Sequence, residues 1–99
     1  MVTFVNKLTI NGDVEEFFLI KDSLTEFMSV QPGYRSSSML RQIGQPNVFI
    51  ELAEWDDAAS HQRAVRSDAF QARVKGLGGL ATVEPGLYQE VTEGGDSGV

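Results

Sequence analysis

Residues 48–55 read VFIELAEW, and their alternation decides the fold. In an extended chain Phe49, Glu51, Ala53 and Trp55 fall on one side, and Val48, Ile50, Leu52 and Glu54 on the other. This is the strongest strand signal in the chain. Asp56-Asp57 follows and caps a helix over about 57–75. The apolar face of that helix breaks near Ser67-Asp68. Ala58, His61 and Val65 align first, and Phe70, Val74 and Leu77 align on a restarted phase, with Asp68 as a second N-cap. Gly76, Gly78 and Gly79 end it. On the other side, Gly44-Gln45-Pro46-Asn47 is a turn signal, preceded by a weaker strand over 34–43 (YRSSSMLRQI).

Further out, residues 2–10 (VTFVNKLTI) are rich in β-branched residues and predict a first strand, closed by Asn11-Gly12. Asp13 and Glu16 have capping-box spacing and start a helix that runs to about Val30. Val14, Phe17, Ile20, Leu24, Phe27 and Met28 form its core stripe, and Lys21, close to that stripe, is expected to snorkel outward. Gln31-Pro32-Gly33 terminates it. Residues 81–91 (ATVEPGLYQEV) predict a last strand, interrupted at Pro85-Gly86. Residues 92–99 (TEGGDSGV) have no periodicity and read as a disordered tail.

The order is β-α-β-β-α-β, the ferredoxin-like arrangement: an α+β domain over residues 1–91 with a four-stranded antiparallel sheet and both helices on one face. The other face carries Val5, Val48, Ile50 and Leu52 and would be bare. Two such sheets packed face to face would bury it, so a homodimer with a barrel-like core is expected. A chain of 99 residues is marginal alone, burying about 60–65% of its unfolded surface, and gains from such pairing.

Composition excludes several functions. A net charge of −6 disfavours nucleic acid, which needs a basic face. The absence of cysteine removes disulfides, thiolate catalysis and Cys-based metal sites, and a single histidine removes a multi-His metal site within one chain. No apolar run approaches a membrane span, so the chain reads as cytoplasmic and soluble. Charge is uneven: residues 11–26 are acidic, while Arg63, Arg66, Arg73 and Lys75 cluster on the second helix, either as a solvated face or as a basic rim for an anionic small molecule.

No phosphate-binding or nucleophile-elbow motif is present. Glu51 and Glu54 point to opposite faces of their strand and cannot act as paired carboxylates. The first strand offers Phe4, Asn6, Leu8 and Ile10 on one face. If this set and the Phe49/Glu51/Ala53/Trp55 set look toward the helices, Asn6, Glu51, Trp55 and His61 converge between sheet and helices, as polar groups in an aromatic pocket do at small-molecule sites. Each residue has a plainer alternative: Asn6 pairing with backbone, Glu51 facing solvent, Trp55 as core, His61 as a satisfied core or rim residue.

Asn6-Lys7-Leu8-Thr9, Pro32-Gly33-Tyr34, and Glu54-Trp55-Asp56-Asp57 with His61 leading into Ser67-Asp68-Ala69-Phe70, in this element order, resemble the antibiotic biosynthesis monooxygenase superfamily over about residues 2–91. The resemblance implies a dimeric α+β barrel and one of two chemistries: cofactor-independent oxygenation of aromatic polyketides, such as anthrone to anthraquinone, or oxidative haem degradation. For the first, Trp55 looks like the family's pocket tryptophan, while Glu51 and His61 replace an asparagine and a tyrosine. For the second, Asn6 matches a pocket asparagine, but Val74 and Ala64 stand where the axial histidine and the distorting tryptophan belong.

The expected activity is therefore cofactor-independent oxidation of an anthrone- or hydroquinone-type molecule by O2. The expected catalytic residues are His61 or Glu51 as base and Asn6 as hydrogen-bond donor. Trp55, Phe17, Phe27, Phe49 and Leu24 would line the substrate, with no metal. Two alternatives stand beside it: a haem-binding or haem-degrading protein with His61 as ligand, and a polyketide cyclase or non-catalytic partner in biosynthesis.

Overall fold

A computed structural model describes residues 1–91. The expected tail, 92–99, lies outside the described residues. The strands are β1 (Val2–Ile10), β2 (Tyr34–Arg41), β3 (Val48–Trp55) and β4 (Ala81–Gln89), and the helices are α1 (Val14–Ser29), α2 (Ala58–Arg66) and α3 (Asp68–Val74), with a short 3₁₀ turn at Lys75–Leu77. The antiparallel sheet runs β2-β3-β1-β4. The fold is ferredoxin-like α+β, with its second helical segment split in two.

Local chemistry explains the boundaries. The Asp13 side chain accepts from the Glu16 N–H at 2.9 Å and caps α1, and Asp57 accepts from the Ser60 N–H at 2.8 Å and caps α2. The break in the second helix falls where expected, but the cap is different. Ser67 is extended, and its hydroxyl accepts from the Phe70 N–H at 3.2 Å, so Asp68 is the first helical residue rather than the N-cap. β2 ends at Arg41, two residues short of the expected 43, because the chain turns there: the Gln42 N–H donates to the Val48 carbonyl.

Two further expectations are corrected. Pro85-Gly86 does not interrupt β4, which stays in register with β1 through Asn6↔Pro85 and Val5↔Gly86. β4 is an edge strand, and a proline there forfeits no bond to a further neighbour. Val14 is not part of the core, being 44% exposed in the first turn of α1, while Val48, expected on the bare face, is already buried.

The core forms two clusters on the helix side of the sheet. One gathers Leu8, Ile10, Phe17, Leu24, Phe49 and Leu77. The other gathers Ala53, Trp55 and Ala64, with Phe4, Met28 and Tyr34 packed against them. Sheet register explains the gap between them. The Leu8↔Phe49 pair belongs to the first cluster and the Phe4↔Ala53 pair to the second, and the pair between is Asn6↔Glu51. Two polar residues facing each other across β1 and β3 interrupt the apolar surface, and a cavity of about 360 Å³ occupies the interruption.

Candidate active site

The cavity is walled mainly by apolar side chains, among them Phe4, Leu24, Tyr34, Trp55 and Phe70. Its polar lining comprises Asn6, Lys21, Thr25, Ser37, Glu51 and His61. Its size and its few convergent polar groups are those of a small-molecule pocket.

All three residues expected to be catalytic border it. Asn6 faces Pro85, which has no N–H, and its side-chain oxygen accepts from the backbone N–H of Glu84 at 3.1 Å. That bond fixes the amide, so its NH₂ group is the part left to donate to a ligand. The plainer alternative for Asn6, pairing with backbone, therefore holds for its oxygen.

His61 sits in the middle of α2 with its ring stacked on Phe4, centroids 4.8 Å apart, and edge-on to Trp55 at 5.4 Å. It is 7% exposed, and Nε2 is buried without a hydrogen-bond partner. Burial pushes the ring below the ordinary histidine value, against the opposing pull of the Glu51 charge. His61 is thus a neutral imidazole with an unused nitrogen at the cavity wall.

Trp55 is 1% exposed, lies in the second core cluster and also borders the cavity. Tyr34 meets it edge-on at 5.4 Å. A bulge between Tyr34 and Ser36 shifts the β2–β3 register by one residue, which brings Tyr34 and Ser37 to the same face, and the Tyr34 hydroxyl donates to Ser37 Oγ at 2.7 Å.

Of the remaining residues expected to line the substrate, Leu24 borders the cavity, and Phe17, Phe27 and Phe49 do not. Phe17 and Phe49 are consumed by the first core cluster, where Phe18 stands edge-on to both. Phe27 points to the guanidinium of Arg73, 5.0 Å above its ring, on the α3 side of α1. Phe4 and Phe70 supply aromatic wall instead.

Lys21 is the residue the sequence reading misplaced. It does not snorkel outward: it is 6% exposed, its Nζ lies 2.6 Å from Glu51 Oε2, and it donates to Thr25 Oγ1 at 2.8 Å. The signal was present in the spacing. Phe17, Lys21, Leu24 and Met28 follow the i, i+4, i+7, i+11 positions of one helix face, so a lysine in that series points inward. An inward lysine is stable only with a counter-charge, and Glu51 on β3 supplies it.

The sequence profile of antibiotic biosynthesis monooxygenases matches residues 1–76. The chain belongs to this family. Deoxynogalonate monooxygenase of Streptomyces nogalater is 33% identical over 99 residues, covering 97% of this chain and 84% of that protein. The crystal structure of SnoaB, a cofactor-independent oxygenase from Streptomyces nogalater, superposes with a TM-score of 0.86 at 31% identity, covering 92% of this chain and 93% of SnoaB. A conserved protein from Methanosarcina mazei Go1 shares the fold, with a TM-score of 0.81 at 24% identity over 90% of this chain and 91% of that one. The family fold thus frames a cavity bordered by His61, Asn6, aromatic side chains and the Lys21–Glu51 ion pair.

Proposed function

We propose that the chain is a cofactor-independent monooxygenase that oxidises an electron-rich aromatic molecule, of anthrone, hydroquinone or related polyketide type, with O2 in secondary-metabolite biosynthesis. The observation that carries this reading is His61: a neutral imidazole whose unpartnered Nε2 borders an aromatic cavity. The relatedness to a deoxynogalonate monooxygenase and to a cofactor-independent oxygenase supports it.

In this reading His61 Nε2 removes a proton from the substrate methylene, and the Asn6 NH₂ donates to the oxygen on which the enolate charge collects. The anion itself supplies the electron to O2, so the protein provides shape, a base and charge stabilisation. Carbon–oxygen bond formation gives a peroxide, protonated by the imidazolium. Loss of the second methylene proton with cleavage of the O–O bond leaves a ketone and water. The balance is CH₂ + O2 → C=O + H₂O. His61 suits the base role better than Glu51, whose Oε2 is engaged by Lys21.

The same proposal includes a homodimer formed through the bare sheet face and a cytoplasmic setting. No helix among the described residues is long and apolar enough to cross a membrane.

The test is oxygen uptake by purified protein with an anthrone, without added flavin or metal. One O2 consumed per substrate is expected, and His61→Phe, which keeps the ring stack, should lower kcat by roughly 10². Conversion without oxygen uptake would favour the cyclase reading. Haemin titration addresses the haem reading, for which Val74 and Ala64 offer no ligating atom. A saturable one-to-one Soret shift lost in His61→Phe would overturn the oxygenase.

A further inference from the structure

The proposed mechanism leaves the ion pair between buried Lys21 and part-buried Glu51 without a task. Lys21, Thr25 and Glu51 all border the cavity, and the Lys21 side chain is 8% exposed. An ammonium has three N–H donors. One goes to Glu51 Oε2 at 2.6 Å and one to Thr25 Oγ1 at 2.8 Å. The third has no protein partner among the described residues.

Structural need does not account for the pair. Two apolar residues would fill this gap between two apolar clusters at no desolvation cost, since a buried ion pair is often no more stabilising than packed hydrophobics. What the pair does provide is a fixed positive charge at the wall of an otherwise aromatic pocket, held in place by two bonds and with a donor to spare.

We propose that Lys21 is an anion anchor that commits this pocket to aromatic ligands carrying an ionised oxygen, a phenolate, enolate or carboxylate. The inference rests on the reading of the cavity as an aromatic-substrate site. Glu51 and Thr25 hold the ammonium in place, and Glu51 also competes with the ligand for it. The bound oxyanion takes the third N–H and shares the charge with Glu51. Apolar walls on the remaining sides strengthen this contact relative to water. Lys21 thereby selects substrates by the acidity of an oxygen on the ring system as well as by ring size, a selection that Asn6, being uncharged, cannot make.

Trp55 is the single tryptophan of the chain and lines the cavity, so its fluorescence reports occupancy directly. The probes are anthraquinone-2-carboxylate and its neutral isostere anthraquinone-2-carboxamide, titrated against wild type, Lys21→Met, Lys21→Arg and Glu51→Gln, each checked for folding by circular dichroism. The wild type is expected to bind the carboxylate about tenfold tighter than the amide. Lys21→Met should erase that preference and Lys21→Arg should keep part of it. Glu51→Gln should increase it, because the competing charge is gone.

Equal affinity for the two probes in the wild type, or a preference that survives in Lys21→Met, overturns the proposal. The wild-type comparison needs no variant to fold, and binding is read without turnover. Failure of the anchor would leave oxygen uptake intact, while failure of the oxygenase reading would leave the charge preference intact, so the two are told apart.

Discussion

Lys21 Nζ and Glu51 Oε2 lie 2.6 Å apart, one from α1 and one from β3, and this contact ties the helix layer to the sheet beside the cavity. Each charge is costly to bury without the other. Glu51→Ala should therefore destabilise the fold by about 3 kcal/mol, the lower end of the range for buried pairs because the carboxylate borders the cavity. The double replacement Lys21→Met with Glu51→Leu should recover most of that loss. Urea midpoints of the three proteins check this. A double variant no more stable than Glu51→Ala would mean that the pair is intrinsically stabilising.

His61 gives the protein a pH dependence of defined sign. Its folded value lies below the ordinary 6.5 because burial disfavours the cation. Well above pH 6.5 the ring is neutral in both states and the stability from its packing is fully present. As pH falls below that, the unfolded chain takes up the proton first, and stability declines until the folded value is passed. Urea midpoints at pH 7.5 and 5.5 should show this loss in the wild type and a smaller one in His61→Phe. Under the proposed mechanism, kcat/KM should rise with pH to a plateau, with its midpoint below the ordinary histidine value of 6.5. Equal acid losses in both proteins would remove His61 as the cause.

The parts of the fold that were legible in the sequence are those set by strict alternation or by a cap. VFIELAEW states its two faces, and the first strand answers with Phe4, Asn6, Leu8 and Ile10, so the meeting of Asn6 and Glu51 follows from period-two geometry. Asp13 and Asp57 announce their helices for the same local reason. What was not legible depends on partners distant in sequence. Lys21 turns inward only because Glu51 is there to receive it. Pro85 is tolerated only because β4 is at an edge. Phe17 and Phe49 are drawn into the core rather than the cavity by Phe18, which no periodicity reveals. The bulge at Tyr34–Ser36, which turns Tyr34 toward Trp55, leaves no mark in the sequence of β2.

Gly33 is the position where the loop before β2 meets the helix that carries His61. Its φ is +93°, and a Cβ there would strike Ser60, coming within 2.5 Å of its Oγ. Ser60 precedes His61 in the chain, and its N–H is held by the Asp57 cap. Gly33→Ala should cost about 2 kcal/mol or more, from the left-handed backbone and the clash together. Relief of the clash would move α2 and with it the imidazole. Thermal unfolding should show the loss of stability, and oxygen uptake should fall even at temperatures where the variant is folded. Wild-type values for both would show that the loop and α2 are not coupled.

On the sheet face turned away from the helices, Val5 and Leu52 stand opposite each other, and Leu40 faces Ile50 one row further along. Within a single chain Val5, Ile50 and Leu52 are only half-buried and Leu40 is 54% exposed, so apolar side chains from three strands remain partly open to water. Pairing with a second copy would remove that area from solvent, at roughly 25 cal/mol per Å² of apolar surface. Leu52→Asp puts a carboxylate in the middle of the patch while leaving the core on the opposite face untouched. Sedimentation should show the wild type at twice the 10.9 kDa chain mass and Leu52→Asp at the mass of one chain. A wild type that sediments as a single chain at micromolar concentration would mean that the patch is left open, and the barrel-like dimer would have to be given up.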